Sequence, residues 1–525
     1  MRSKAFQRWL MVVGLFCYSG QQTNSFGQTQ INAAAPGQAI HREILGSTLA
    51  HGRYVVTGDK ASQIGVAGGL EAELFNWQTL QNNYQWPTYG FMKTTQNMDS
   101  MFMPIVNMRG VYDSGNNYKT DLAPLVTLAS DWVRYSNFII QNYHQGDPVG
   151  ASDQAILNKI NWTAYPQKLP AVGETAPPPV KYWIIGNEPE IKVNGKWFSS
   201  NFIDTTFGGA WTTAEYVNRY TQLTSAMKAQ DPTIKVGPGM LGGANEDTFG
   251  PLLQSTAPID FWAYHIYDNI SDSYVPNGSA SQVNAMEAQL RGVRPTQINR
   301  HNEIRQTFIN NGRNPDNVEF MVTEWNVMNG DLNDANIPSM YQALGTAETF
   351  FSFAAMGLKA GNYWGETVYQ PDVPNPTNIY PMVKVWWKLR DEMGDTLVNS
   401  IIDDANNRHI YTTRDSQTGE IKVWGINLDN DAATSINLSL LGINASSTAT
   451  LSIFGGDGTK FWTTDANWSS QTLNNFNAGN FNLSIPSASI ALLEIHPVPE
   501  PAMIGLLGLG LLAMGRRRRQ SDNLN

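Results

Sequence analysis

Tyr182-Trp183-Ile184-Ile185-Gly186-Asn187-Glu188-Pro189-Glu190 is an apolar, strand-like run that stops abruptly in Gly-Asn-Glu-Pro. A buried strand that delivers an amide and a carboxylate to its C-terminal end is how a (β/α)8 barrel builds a site. A second stretch of this kind, Phe320-Met321-Val322-Thr323-Glu324-Trp325-Asn326, also ends in a glutamate. From Glu188 to Glu324 is 136 residues. That leaves room for three strand–helix units of about 45 residues, a spacing consistent with strands four and seven of such a barrel.

The segments around this pair alternate between strand and helix. Met101 to Gly110 reads as a buried strand ending in Asn107 and Arg109. Leu125, Leu128, Trp132, Tyr135 and Ile139 follow at helical spacing. After Glu188, Thr212-Thr213-Ala214-Glu215 has the form of a capping box, and Tyr216, Tyr220, Leu223 and Met227 form the apolar stripe behind it. Ile234 to Gly239 and Ile259 to Tyr267 read as strands. In the second, alternation puts Phe261, Ala263, His265 and Tyr267 on one face. The same rule puts Phe320, Val322 and Glu324 together. Helices are expected over Val283–Asn310 and Ile337–Leu358, and a last barrel strand over Ala360–Glu366. The rhythm predicts a parallel α/β architecture.

From about Asp395 the helical periodicity disappears. Short alternating runs such as His409–Thr413, Ile421–Ile426, Thr450–Phe454 and Ser489–Ile495 predict an antiparallel β-sandwich. The expected organisation is therefore an N-terminal segment 1–27, a (β/α)8 TIM barrel over 28–394, a β-sandwich over 395–497 and a tail over 498–525. Residues 28–60 are ambiguous: Glu43–Leu49 suits a first barrel strand or a strand of an accessory sheet.

The formal charge is −10, and seven of the cations lie in the two ends. Residues 28–497 carry about −15, a body that nucleic acid would repel. Cys17 is the sole cysteine and falls in the N-terminal segment. The body therefore offers no thiolate metal site, disulfide or cysteine nucleophile. Neither clustered His/Cys spacing nor a phosphate-binding glycine loop is found, so no metal or cofactor is expected.

Both ends read as processing signals. Arg2, Lys4 and Arg8 precede the short apolar run Trp9–Tyr18, the pattern of a secretory signal peptide. At the other end, Val498-Pro499-Glu500-Pro501 leads into the apolar run Ala502–Gly515 and then Arg516–Arg519. Fourteen apolar residues are short for a spanning helix, which needs about 20. This order resembles the PEP-CTERM sorting tag. The resemblance implies export in a Gram-negative bacterium to the cell surface or beyond, with transient membrane association and processing by an exosortase-type enzyme. An ordinary tail anchor is the other reading.

The body resembles clan A retaining glycoside hydrolases, and among them the α-L-arabinofuranosidase-like family most. Val180–Glu188 is similar to that family's fourth-strand motif and implies an acid/base role for Glu188. His265-Ile266-Tyr267 is similar to its sixth-strand His-x-Tyr. Thr323-Glu324-Trp325-Asn326-Val327 is similar to its seventh-strand motif and implies that Glu324 is the nucleophile. Asn107 fits its third-strand asparagine. The family's arginine-proline-glycine-glycine pattern after the second strand is not found, and Pro189 follows the acid/base glutamate as in cellulase- and xylosidase-like members of the clan. The resemblance implies a polysaccharide or oligosaccharide substrate, with Asn187 meeting a sugar hydroxyl, Tyr267 orienting Glu324 and His265 nearby. Trp325 and Trp364 suit sugar stacking and core packing equally. Glu190 and Glu366 read as loop charges. An endo-acting glycanase and a catalytically inert carbohydrate-binding surface protein are the alternatives. Retention of both glutamates argues against the inert form.

Overall fold

The computed structural model describes residues 28–48, 66–68, 77–78, 87–97, 100–108, 110–112, 118–119, 121–162, 166–188, 191–193, 196–198, 212–240, 246–268, 274–327, 339–363, 380–443, 448–474 and 476–496. The expected signal peptide 1–27, Arg109, Glu190, Trp364, Glu366 and the tail 498–525 lie outside the described residues.

One sheet dominates the first four hundred residues. Its parallel members are β1 (Gly46–Thr48), β2 (Val66–Gly68), β3 (Met101–Met103 with Ile105–Val106), β4 (Tyr182–Ile185), β5 (Lys235–Met240), β6 (Phe261–Tyr267), β7 (Glu319–Asn326) and β8 (Ala360–Tyr363). Each pairs with the next in chain order, and β8 pairs with β1. The first half of β3 pairs with β2 and the second half with β4. The break falls at Pro104, which has no N–H to give but whose carbonyl accepts from Ile184 at 3.0 Å. The order of paired segments thus begins with Met101–Met103 and ends with Ile105–Val106.

Helices α1 (Thr88–Asn97), α2 (Leu122–Arg134), α3 (Thr213–Gln230), α4 (Glu246–Gln254), α5 (Ala280–Asn310), α6 (Met340–Met356) and α7 (Pro381–Glu392) alternate with these strands. Strands covered by helices on one side and by each other on the other read as continuous apolar runs, and β4 is buried throughout. Trp183 of β4 meets Trp132 of α2 edge to face at 5.4 Å, while Tyr182 meets Phe261 across the sheet at 5.7 Å. Alternate residues thus serve the helix layer and the interior. At α3, half of the expected capping box forms. Thr212 accepts from the Glu215 N–H at 3.2 Å, but the Glu215 carboxylate turns to Arg219 instead.

The C-terminal region is antiparallel. It comprises β9 (Thr396–Asp403), β10 (Arg408–Arg414), β11 (Ile421–Asn427), β12 (Thr434–Leu441), β13 (Thr448–Phe454), β14 (Trp468–Leu473), β15 (Phe481–Ile485) and β16 (Ile490–His496). One sheet runs β9-β10-β11-β16-β13-β14, and β12 and β15 pair in a second sheet. Ile410, Val423, Leu438, Leu483, Ile485 and Leu493 fill one apolar cluster between them.

The expected start of the barrel at residue 28 needs one correction. Thr29–Asn32 adds to β12 and Gln38–Ala39 to β9, so residues 29–39 belong to the C-terminal sheets. Buried Ile31 joins their apolar cluster, which supplies the driving force for the pairing. Of the ambiguous run Glu43–Leu49, residues 43–48 form the end of a short 3-10 turn and then β1, and Leu49 lies outside the described residues. Among the described residues, no helix is long and apolar enough to cross a membrane.

Candidate active site

Glu188 stands three residues beyond the end of β4. The chain leaves that strand through Gly186, whose φ is +72°. A side chain there would be strained by the left-handed backbone and would collide with the Met108 sulfur. Gly186 N–H donates to Val106 of β3 at 3.0 Å, and Glu188 N–H donates to Gly239 of β5 at 2.8 Å. The loop is thus bonded to both neighbouring strands. Glu188 itself has φ +45°. A non-glycine residue seldom occupies this region, and such conformations cluster at functional sites.

Glu324 reaches the same place by a different device. Along β6 and β7, Tyr264 registers with Val322 but His265 registers with Glu324. Against β8, Val322 registers with Gly361 and Trp325 with Tyr363. Both edges show one extra residue on β7 near Thr323, a β-bulge. The expectation that Phe320, Val322 and Glu324 share a face is therefore corrected. Phe320 packs on His301 and Phe308 of α5, at 5.0 and 5.5 Å, on the helix side. The bulge switches the alternation, and Glu324 turns to His265.

His265 lies between the two glutamates. Its Nδ1 is 2.8 Å from Glu188 Oε1 and 3.3 Å from Glu324 Oε2. Tyr267, two residues on along the same face of β6, donates its hydroxyl to Glu324 Oε2 at 2.7 Å. His265 is 1% exposed, and both glutamates are 8% exposed. The His265 nitrogen and one oxygen from each carboxylate all lie within 4.8 Å of one another. A divalent cation could bridge such a set, but the same atoms already serve the hydrogen bonds just described. A carboxylate pair this close, with a buried imidazole and a phenol fixing both members, is suited to a two-step displacement. Carboxyl groups about 5–5.5 Å apart leave no room for a water between them.

The other expected residues divide. Asn187 is buried beside Glu188. Asn107 is buried too, and its side chain closes its own turn: Nδ2 donates to Gly110 O at 2.6 Å, and Oδ1 accepts from Gly110 N at 3.3 Å. Trp325 needs correction as a sugar contact. It is 1% exposed and lies edge to face against Phe350, Phe353 and Tyr363. Placed just after the bulge and next to Glu324, it points into the helix layer.

Two supports escaped the sequence reading. Arg219 on α3 reaches across to donate to Met108 O at 3.2 Å, steadying the end of β3 against which Gly186 packs. Its Glu215 partner, four residues earlier, is the available sequence signal. Asp268 directly follows Tyr267. Its N–H donates to Asn326 O at 3.2 Å and its carboxylate accepts from Gln297 at 2.5 Å. Burial pushes the Asp268 carboxyl up to about 7, against the opposing pull of Gln297 and Arg300.

A separate cleft of about 500 Å³ lies at the other ends of the strands, lined by Arg42, Glu43, Gln96, Met101, Pro179 and Lys181 among others. Met101 opens β3 and Lys181 precedes β4, so this cleft is remote from the glutamate pair. Its Glu43 is paired with Lys359 at 3.3 Å.

Comparison with known proteins bears on the tail and on the fold. Residues 497–519 match the family described as the PEP-CTERM protein-sorting motif. No curated protein sequence matches the chain. Among solved structures, the fold is similar to a family 51 α-L-arabinofuranosidase from Bifidobacterium longum, with TM-score 0.64 and 14% identity. It is also similar to the α-L-arabinofuranosidase from Thermotoga maritima in its arabinose complex, with TM-score 0.61 and 14% identity. A Paenibacillus polymyxa xyloglucanase from glycoside hydrolase family 44 follows with TM-score 0.60 and 12% identity. Each likeness covers 89% of this chain and 99% of the other.

Proposed function

We propose that this chain is an exported retaining glycoside hydrolase, built on a (β/α)8 barrel with a C-terminal β-sandwich, that cleaves polysaccharides or oligosaccharides. The observation that carries the reading is the glutamate pair held by His265 and Tyr267, with the contributing atoms within 4.8 Å. The parallel strand order, each strand paired with the next in the chain, and the fold likeness to arabinofuranosidases and a xyloglucanase support it.

In the first step, Glu324 attacks the anomeric carbon. The glycosidic C–O bond breaks, and Glu188 gives its proton to the departing oxygen. In the second, a water loses a proton to Glu188 and displaces Glu324 from the sugar, which restores both residues. Tyr267 holds one oxygen of Glu324 and so fixes the direction of attack. Asn187, next to Glu188, is placed to meet the hydroxyl beside the anomeric carbon. An arabinofuranosidase-like side-chain specificity follows from the resemblance at Glu188, His265-Ile266-Tyr267 and Glu324. An endo-acting glycanase is the second reading, favoured by Pro189 directly after Glu188 and by the likeness to the xyloglucanase. The PEP-CTERM match supports export and handling by an exosortase-type enzyme, with residues 1–27 acting as signal peptide.

A panel of aryl glycosides, with the product anomer read by NMR, tests the reading. Retention is expected on at least one sugar; inversion or general inactivity would overturn it. Glu324→Ala should abolish turnover of every substrate. Glu188→Ala should slow poor leaving groups by more than the 10²–10⁴-fold typical of a single acid–base contribution. With an activated phenol it should accumulate a glycosyl-enzyme that azide releases with the substrate's own configuration.

A further inference from the structure

We propose that Trp462, carried on the loop between β13 and β14, is a stacking platform for a sugar unit beyond the cleaved bond, so that the C-terminal sheets take part in choosing the substrate. The proposal rests on the hydrolase reading above. It starts from where this loop is fastened. The N–H groups of Met340 and Tyr341, at the start of α6, donate to Thr463 O and Phe461 O, both at 2.9 Å. The first N–H groups of a helix have no partner within it, and here the loop supplies two acceptors.

Asn326 at the end of β7 and Gln342 in the first turn of α6 both donate to the Tyr363 hydroxyl, at 3.2 and 3.3 Å, so the start of α6 lies beside the end of β7 that carries Glu324. Phe461 is fully buried and packs on Tyr341 at 5.4 Å, and Tyr341 packs on Tyr274 at 5.6 Å. Tyr274 belongs to the connection after β6, the strand that carries His265 and Tyr267. The loop thus docks against the two connections on the glutamate-bearing side of the sheet.

The loop is also held rigid. Phe461 N–H donates to Asn430 Oδ1 at 2.9 Å, Lys460 reaches Asp431 Oδ1 at 2.6 Å, and Asn430 N–H donates to Glu287 on α5 at 3.0 Å. With Phe461 turned inward, Trp462 is half-buried against the core, and Thr464 and Asp465 are exposed just beyond it. A flat ring fixed in advance can cover the apolar face of a sugar ring without an ordering cost. The hydroxyl and carboxylate beside it can meet the sugar's equatorial hydroxyls.

Trp462→Ala and Trp462→Phe would be compared with the parent enzyme on an aryl monoglycoside and on a series of oligosaccharides of the same sugar. Stacking of this strength corresponds to about three- to tenfold in affinity. The expected result is a KM for the longer oligosaccharides raised by about that factor relative to the aryl glycoside in Trp462→Ala, with most of the loss restored in Trp462→Phe. Equal effects on short and long substrates, or none, would overturn the proposal while leaving the hydrolase reading intact. A parent enzyme inactive on both substrate types would remove the hydrolase reading, and this proposal with it.

Discussion

Asp268 illustrates how a single residue ties the site's chemistry to its frame. It stands next to Tyr267, its backbone joins the ends of β6 and β7, and its carboxyl is raised to about 7. An acid whose folded pKa is raised binds more protons folded than unfolded between its ordinary value near 4 and 7. Stability from this group therefore falls as pH rises through that window. Asp268→Asn removes the titration and keeps an oxygen to accept from Gln297. Its melting temperature is expected to exceed the parent's at pH 8 and to match it near pH 4, and thermal melts across pH check this. An unchanged difference at all pH values would show that the carboxyl does not titrate there. Glu188 shows a second residue-scale feature, its left-handed φ of +45°. That conformation is tolerated because hydrogen bonds to β3 and β5 hold the segment on both sides.

At the scale of elements, two local irregularities build the site, and a third braces the opposite end of β4. The bulge in β7 turns Glu324 inward, and the Gly186 turn lifts Glu188 off β4. The third, a π turn over Tyr135–Ile139 at the end of α2, lets Asn137 bridge Val180 and Asp231 at 2.8 to 3.0 Å beneath β4. The Gly186 turn is the most exposed to test. Gly186→Ala meets a left-handed backbone, which costs about 1–2 kcal/mol, and the collision with Met108 adds overpacking of about 1–3 kcal/mol. Urea unfolding should show a loss of about 2–5 kcal/mol. Activity should fall in the protein that remains folded, because Glu188 is only two residues on. A variant as stable and active as the parent would show that the turn can relax without moving Glu188.

Over the whole molecule, the barrel-type sheet and the C-terminal sheets share one apolar core. Tyr411 and Trp424 from the C-terminal sheets pack on Phe351 of α6, with Tyr411 stacked at 4.2 Å. Beside them, fully buried Glu348 of α6 accepts from Tyr411 at 2.7 Å and meets His409 Nδ1 at 2.9 Å, while His409 Nε2 meets Asp404 at 3.0 Å. Burial opposes protonation of His409, but Glu348 and Asp404 outweigh it and raise its pKa above the ordinary 6.5. Stability from this group is therefore complete below about 6.5 and is lost as pH rises through the raised value. His409→Gln should lower the melting temperature at pH 5.5 and narrow the gap to the parent at alkaline pH. A gap that widens with pH would show that His409 is buried neutral.

The sequence by itself determined the alternation of strands and helices, the change to antiparallel strands near Asp395, the tail motif and the two strand-end glutamates. These are local signals: apolar periodicity records what an element buries, and a carboxylate after a buried strand has few structural uses. His265 and Tyr267 were legible for the same reason, since plain alternation places them on one face of β6. The tertiary structure alone decided the rest. A bulge adds one residue without changing composition, so alternation assigned Glu324 the face of Phe320 although the chain turns it to His265. Trp325 carries the same side chain whether it meets sugar or core, and only its aromatic neighbours on α6, α7 and β8 settle it as core. Residues 29–39 join strands some four hundred positions away, a pairing fixed by the apolar gap that Ile31 fills between the C-terminal sheets and by no pattern within the segment itself.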